Sequence, residues 1–347
     1  MKILIKAYSG MNFGDDLFIA ALCKRYKQHQ FILSAEEKYI EIFKHIANLT
    51  IDVCSYVDIK ENDLKLAKNV DIVVYIGGSI FIEHNKDSLN KTKYLKELID
   101  INNNFYVVGA NFGPFKSNDY YSYVKNETIK NIKGICFRDS YSYNLFKDCD
   151  NVIYAPDVIF GLDINSSVEK EKSIGISVIH HLDRESILPF YDKYIEKLKE
   201  IIYHFVDMDY KVKLLGFCSK EKDNIAIEQL LRDVDPLYMK NISVCNYDGN
   251  IAEFLEVLNK QEYIVASRFH SMILGLKLCA KLITICYSDK TTNAIKDMNI
   301  NMPYYKLGDT DKLKVCDIVK EKNNNIQHLV EKSCLQFKFL DDVLTNK

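Results

Sequence analysis

No two of the ten cysteines are separated by just two residues. They lie at 23, 54, 136, 149, 218, 245, 279, 286, 316 and 334, which excludes a zinc knuckle and a dithiol redox motif. Several, among them Cys23, Cys136 and Cys286, fall inside apolar runs where a thiol behaves as a small core hydrophobe, and the pattern reads as that of a reducing cytoplasm. An excess of one charge is also missing. Forty-six Lys and Arg against 48 Asp and Glu leave a formal net charge of -2, so nucleic acid is not expected as a partner and any anion site must be local. Long hydrophobic runs are absent too. The first apolar run ends at Lys6, short of the core of a secretory signal, and the longest charge-free stretch, residues 101–115, is broken by four asparagines, two glycines and a proline. No membrane span is expected. Finally, no two glycines flank a single residue, which removes the main support for a nicotinamide enzyme of the usual kind.

What is present is a chain of 347 residues, 48% hydrophobic and 27% charged, enough for two globular domains. Short apolar runs at residues 2–8, 71–76, 105–109 and 135–137 alternate with helical patterns near 36–47, 88–100 and 139–147. This order implies a mostly parallel sheet covered on both faces. The polar stretch NSSVEKEKS then precedes a second series, with strands at 174–179, 211–216, 263–266 and 282–286 and helices near 188–205, 220–233, from 251 and from 268. The expected fold is α/β: two Rossmann-like doubly wound domains facing a cleft, residues 1–165 and 170–322, followed by a C-terminal amphipathic helix within 323–347. Ligands of such sheets bind beyond the carboxyl ends of the strands, so the chemistry is sought in strand-to-helix loops.

The first such loop, Asn12-Phe13-Gly14-Asp15-Asp16, offers carboxylates and helix amides; an Asx turn with an Asp N-cap would account for it equally well. Gly77-Gly78-Ser79 after DIVVYI presents unhindered amides to an anion, and GANFGP, which contains Asn111, is a second glycine-bearing loop whose simpler meaning is a turn. Arg138-Asp139 puts a guanidinium at a strand tip, and Asp157 in APDVIF has a similar placement, with ion pairing and helix capping as alternatives. The strongest local signal is Ser267-Arg268-Phe269-His270 before the apolar helix MILGLKLC, an anion site with a titratable group at a helix start. Lys290 in YSDK, another strand end, can meet the same anion. No Asp or Glu lies between Glu262 and Asp289, so the second-domain site is expected to be cationic and free of carboxylates. His180 and His181, adjacent on an extended chain, should point to opposite faces, and no metal site is expected.

NFGDD, GGS, GANFGP, RDSYS, APDVIF, SRFH and YSDK, in this order, resemble the polysaccharide pyruvyl transferase family from about residue 12 to residue 290. The resemblance implies a fold similar to GT-B glycosyltransferases and transfer of the enolpyruvyl group of phosphoenolpyruvate to a sugar, forming a ketal, without any cofactor. It makes His270 the catalytic residue with Asp15 as the next candidate base. It makes Arg268 the donor-binding partner of His270, Arg138 a second donor or acceptor contact and Asp15 a cleft carboxylate; the loop reading adds Lys290, Gly77, Gly78 and Ser79 on the donor side and Asn12, Asp15, Asn111 and Asp157 on the acceptor side, with the N-terminal domain as the acceptor side. Where many relatives carry an arginine after the first strand of the second domain, this chain has His180-His181. The acceptor implied is a surface-polysaccharide sugar or its lipid-linked precursor, with peripheral contact to the inner membrane face through Lys193, Lys197 and Lys199, although a plain solvated helix face explains these lysines too. The alternative from the residues alone is a GT-B glycosyltransferase using a nucleotide sugar, and a sugar-binding protein without catalysis is a third reading.

Overall fold

The structure, a computed structural model, describes the chain except residues 84, 86, 87, 166, 167, 182–186, 319–323 and 346–347, together with the side chain of 317. The expected boundary at 322–323 and part of the polar stretch before the second series therefore lie outside the described residues.

The first sheet comprises β1 (Lys2–Lys6), β2 (Gln30–Ala35), β3 (Leu49–Val53), β4 (Ile72–Ile76), β5 (Phe105–Ala110), β6 (Gly134–Phe137) and β7 (Val152–Tyr154). Its strands run in the order β3-β2-β1-β4-β5-β6-β7, every pair parallel. The second contains β8 (Glu171–Ser177), β9 (Lys211–Gly216), β10 (Ile242–Asn246), β11 (Gln261–Ala266), β12 (Lys281–Cys286) and β13 (Tyr304–Lys306). Its order is β10-β9-β8-β11-β12-β13, again parallel throughout. Counted from its own first strand this is 3-2-1-4-5-6, the doubly wound order, and the direction of winding reverses between β8 and β11 as it does between β1 and β4.

Both sheets are buried on two faces, which is why their central strands read as continuous apolar runs rather than alternating ones. All six residues of β5 and the last five of β8 are buried. Helices supply the cover. Helix Tyr191–Asp207 buries Tyr191, Tyr194, Ile195, Leu198, Ile201, Ile202 and Phe205, a spacing of three and four that leaves its lysines and glutamates outside. Each such side chain contributes roughly 1.5–3 kcal/mol by leaving water.

By contacts the chain divides into one unit of residues 1–9, 15–162 and 329–347 and a second of residues 10–14 and 163–328. Two pieces thus depart from sequence order. Residues 10–14 join the second unit because the Phe13 ring, fully buried, lies among Phe217, Tyr247 and Phe254 with centroids 5.9, 5.1 and 4.7 Å away. Main-chain contacts reinforce this: the Phe13 amide donates to the Phe217 carbonyl at 3.0 Å, and Asn12 forms a β-bridge with Cys218. The C-terminal helices Gln327–Ser333 and Lys338–Leu344 are separated by a short turn, and from Leu329 onward the chain belongs to the first unit. There Asp341 accepts from Arg25 Nε and Nη2 at 3.0 and 2.6 Å and from the Tyr26 hydroxyl at 2.8 Å.

All ten cysteines are free thiols. Burial pushes Cys23 and Cys218 up to about 12, so these are packing groups and not nucleophiles. No helix among the described residues is long and apolar enough to cross a membrane.

Candidate functional site

In the first unit, Gly77-Gly78-Ser79, Asn111, Arg138 and Asp157 follow β4, β5, β6 and β7, and the sheet order sets these strand ends side by side. Arg138, 4% exposed, donates from Nη1 to Asp157 Oδ2 at 3.0 Å and from Nη2 to Asn111 Oδ1 at 2.8 Å. The Asn111 amide returns to the Gly78 carbonyl at 2.8 Å. A side chain at position 78 would push the Arg138 guanidinium off its partners, because its Cβ would fall on Nη2. Asp157 Oδ1 also accepts from the Ile159 amide at 3.0 Å. Burial pushes the Asp157 carboxyl up, opposed by the charge of Arg138. The surface ion pair weighed for the adjacent Arg138 and Asp139 does not form, since both are buried. Arg138 pairs with Asp157, and Asp139 caps helix Ser140–Phe146 by accepting from the Ser142 amide at 2.7 Å, while Asp157 caps the turn that follows it, as weighed.

Asp15 is half-buried near the start of the helix Phe13–Arg25, at the reversal point between β1 and β4. Its Oδ1 lies 3.7 Å from where a Cβ of Gly77 would stand. Asn12 Oδ1 accepts from the Gly14 amide at 3.0 Å, which is the Asx turn weighed for this loop. Ser79 is exposed. Beneath the cluster the C-terminal segment sends in Gln336, 2% exposed. Its Nε2 donates to the carbonyls of Phe137, Ala155 and Pro156 at 3.3, 2.7 and 3.1 Å, while its Oε1 accepts from the Gly109 amide at 3.0 Å. One amide side chain thus ties together the ends of β5, β6 and β7.

The second unit builds its own cluster around the reversal point between β8 and β11. Ser177 Oγ, at the end of β8, accepts from the amides of Ser267 and Arg268 at 2.8 and 3.2 Å, and the Tyr194 hydroxyl donates to Ser267 Oγ at 2.9 Å. These bonds fix the turn that starts helix Phe269–Lys277, whose residues 269–276 are buried apart from His270. His270 is half-buried and lies on Gly14: a Cβ there would run into its imidazole. The missing side chain at Gly14 thus makes the room that the imidazole occupies, 256 positions away in sequence. A Gly14→Ala protein is expected to fold with the imidazole displaced, and to lose about 100-fold in turnover if His270 is catalytic, the scale of an ångström-level misplacement. Steady-state kinetics beside a thermal unfolding curve check this; unchanged turnover removes His270 from the reaction.

Arg268 is 6% exposed and meets a partner that the sequence reading did not find. Asp223 takes the guanidinium side-on, accepting from Nε at 3.0 Å and from Nη2, and Glu221 accepts from Nη1. The expectation of a second-domain site free of carboxylates was therefore incorrect. It searched residues 263–288 alone, whereas the carboxylates come from the loop after β9, whose Glu-Lys-Asp sequence at a strand-to-helix junction was the available signal. Burial works against the Arg268 charge, but Asp223, Glu221 and the neighbouring Tyr287 outweigh it and hold the guanidinium well above its ordinary value. Asp223 is pushed up by burial and drawn back by Arg268. Lys290, half-buried, lies 5.7 Å from the Tyr287 ring centre.

His180 and His181 also differ from expectation. β8 ends at Ser177, so the pair lies beyond the extended strand, and the rings stack with centroids 4.2 Å apart instead of pointing to opposite faces. Both pack near Tyr191, His181 edge-on at 4.9 Å. Among the described residues no group of three or more His, Cys, Asp or Glu is arranged to hold a metal ion. On helix Tyr191–Asp207, Lys197 pairs with Glu200 at 2.5 Å and Lys199 with Glu196 at 2.6 Å, so two of the three lysines considered for membrane contact are neutralised on their own helix face.

The family model for polysaccharide pyruvyl transferase matches residues 12–289. The chain belongs to the polysaccharide pyruvyl transferase family. No curated protein matches it. Among solved structures, UDP-GlcNAc 2-epimerase from Methanocaldococcus jannaschii is similar at a TM-score of 0.62 and 12% identity, covering 99% of this chain and 100% of its own. Anabaena Alr3699/HepE in complex with UDP and glucose gives 0.59 at 9% identity, covering 100% and 97%. A glycosyltransferase from Rickettsia africae gives 0.56 at 11%, covering 100% and 99%. These likenesses are of fold: two Rossmann-like domains of the GT-B kind, which a polysaccharide pyruvyl transferase shares with enzymes of nucleotide sugars. The matched segment contains both clusters, and the Arg268-Phe269-His270 turn lies near its C-terminal end.

Proposed function

We propose that this transferase uses phosphoenolpyruvate as donor and a sugar of a surface polysaccharide, or of its lipid-linked precursor, as acceptor, and closes a pyruvate ketal. The observation that carries the reading is the seating of His270 on Gly14 in the first turn of its helix, two residues after the buried Arg268, in a chain of this family. The donor bears a carboxylate and a phosphate, which call for guanidinium, ammonium or helix-terminal amide groups. Arg268, Lys290 and the start of helix Phe269–Lys277 are the groups proposed for it. Asp15, Asn12, Asn111 and the Arg138–Asp157 pair are proposed for hydroxyls of the acceptor.

The chemistry balances with one proton-transferring residue. His270 delivers a proton to the methylene carbon, so C2 becomes electrophilic and one sugar hydroxyl adds to it. A second hydroxyl of the same sugar then displaces phosphate from C2. Of the two hydroxyl protons released, one ends in the new methyl group, by way of the imidazole, and the other departs with phosphate. Asp15 is the candidate to accept a hydroxyl proton if His270 serves only as acid.

Titration calorimetry tests the donor. Phosphoenolpyruvate is expected to bind saturably, to bind more weakly as salt screens the charges, and to bind equally well with a metal chelator present. Absence of such binding together with tight binding of a nucleotide sugar would replace this reading with that of a GT-B glycosyltransferase. The carboxylates Glu221 and Asp223 keep that second reading in play, because a second-domain carboxylate is what a nucleotide-sugar site needs for sugar or ribose hydroxyls.

A further inference from the structure

Two carboxylates share the Arg268 guanidinium, and they are held in different ways. Asp223, whose side chain is 1% exposed, is fixed by four bonds: it accepts from Arg268 Nε and Nη2 and from the amides of Phe217 and Cys218, the last two at 3.1 and 3.0 Å. Glu221 has a side chain 23% exposed. It stands on the three-residue turn Ser219–Glu221, followed by Lys222 in the left-handed region at φ 61°. Asp223 is thus part of the floor, and Glu221 is a partly solvent-exposed group on the short turn before the helix.

We propose that Glu221 is an internal competitor for the donor's carboxylate: it occupies Arg268 Nη1 until the donor displaces it, and so sets donor affinity and selects for donors that carry a carboxylate. This rests on the reading of phosphoenolpyruvate as donor. The physical reason is stoichiometry of charge. One guanidinium with two carboxylates is a net anion, which repels a trianionic donor. Exchange of Glu221 for a ligand carboxylate keeps that balance and the planar, hydrogen-bonded geometry a guanidinium prefers. A neutral ligand, or one without a planar anion, leaves Arg268 with its internal partner. Asp223 meanwhile keeps the guanidinium oriented through the exchange.

The test compares Glu221→Gln with Glu228→Gln. The second removes the same charge from an exposed position on the helix that follows the Glu221 turn, Asp223–Asp233. Phosphoenolpyruvate binding is measured by calorimetry and KM and kcat by steady-state transfer. Glu221→Gln is expected to lower the dissociation constant and KM about 3- to 30-fold, the value of a charged hydrogen bond discounted for partial exposure, with kcat near wild type and Glu228→Gln unchanged. Glu221→Ala, which removes the acceptor atoms as well, should tighten binding at least as much. Unchanged or weaker binding in folded Glu221→Gln and Glu221→Ala, as a purely structural glutamate predicts, overturns the proposal, and so does an equal gain in Glu228→Gln. A wild-type protein that binds no phosphoenolpyruvate removes the donor reading and this inference together, whereas wild-type binding without a gain in the variants removes the inference alone.

Discussion

A His270→Gln protein is expected to fold, to bind phosphoenolpyruvate nearly as well as wild type, and to lose roughly 100- to 10,000-fold in turnover, the usual contribution of a positioned acid or base. Glutamine keeps a polar side chain of similar reach but exchanges no proton near neutral pH. The surroundings favour a clean result. His270 is half-buried and sits on a backbone with no side chain at Gly14, so the smaller planar amide has room without repacking. The helix that carries it is anchored by the buried residues Phe269, Met272, Ile273 and Leu276. Pyruvate transfer to a sugar acceptor, assayed beside thermal unfolding, decides the matter. A folded variant with near wild-type turnover would end the catalytic assignment and pass the role of base to Asp15. A variant that is merely less stable, with normal turnover per folded molecule, would mark His270 as a packing residue.

An Asp223→Asn protein should show the largest loss of stability among single changes at these loops, about 3–5 kcal/mol, because one partner of a buried ion pair is removed and the other stays. The four donors converging on Asp223 make the substitution especially costly. An asparagine can accept only through its one carbonyl oxygen, and its own amide hydrogens point at groups that are themselves donors. Arg268 is then left buried with Glu221 as its remaining carboxylate. Chemical denaturation reads the effect as a lower midpoint at unchanged slope. A folded variant within 1 kcal/mol of wild type, judged on the scale typical of exposed ion pairs, would show that Asp223 is not the fixed floor of the Arg268 site. Donor affinity should fall in the same variant while it rises in Glu221→Gln. The opposite signs at two carboxylates on one guanidinium separate the group that orients from the group that competes.

The sequence by itself determined the fold class and the loops worth inspecting. Buried parallel strands read as short apolar runs, and a strand end that must turn into a helix beside other strand ends needs glycine, a cap or a charge. That is why GGS, GANFGP, RDSYS, APDVIF and SRFH were legible one by one, and the family resemblance drew on the same residues. Five strands escaped notice: β2, with Phe31, Leu33 and Ala35 buried, and β7 are short apolar runs with no glycine turn of their own, and the other three have little apolar continuity. β3 and β10 are edge strands with no fully buried residue, and β13 has three residues, so no apolar run marks them.

Only the tertiary structure decided which distant residues meet. Gly14 lies under His270 because the Phe13 ring is drawn into an aromatic cluster from residues 217, 247 and 254. Gln336 reaches the ends of β5, β6 and β7 because the C-terminal helices return to the first unit. Arg268 acquired two carboxylates from the loop after β9 because β8 lies between β9 and β11 and brings both strand ends around Ser177. None of these pairings has a local signature. Periodicity and turn chemistry act over a few residues, whereas the charge balance of a buried arginine is set by whichever elements the sheet order places beside it.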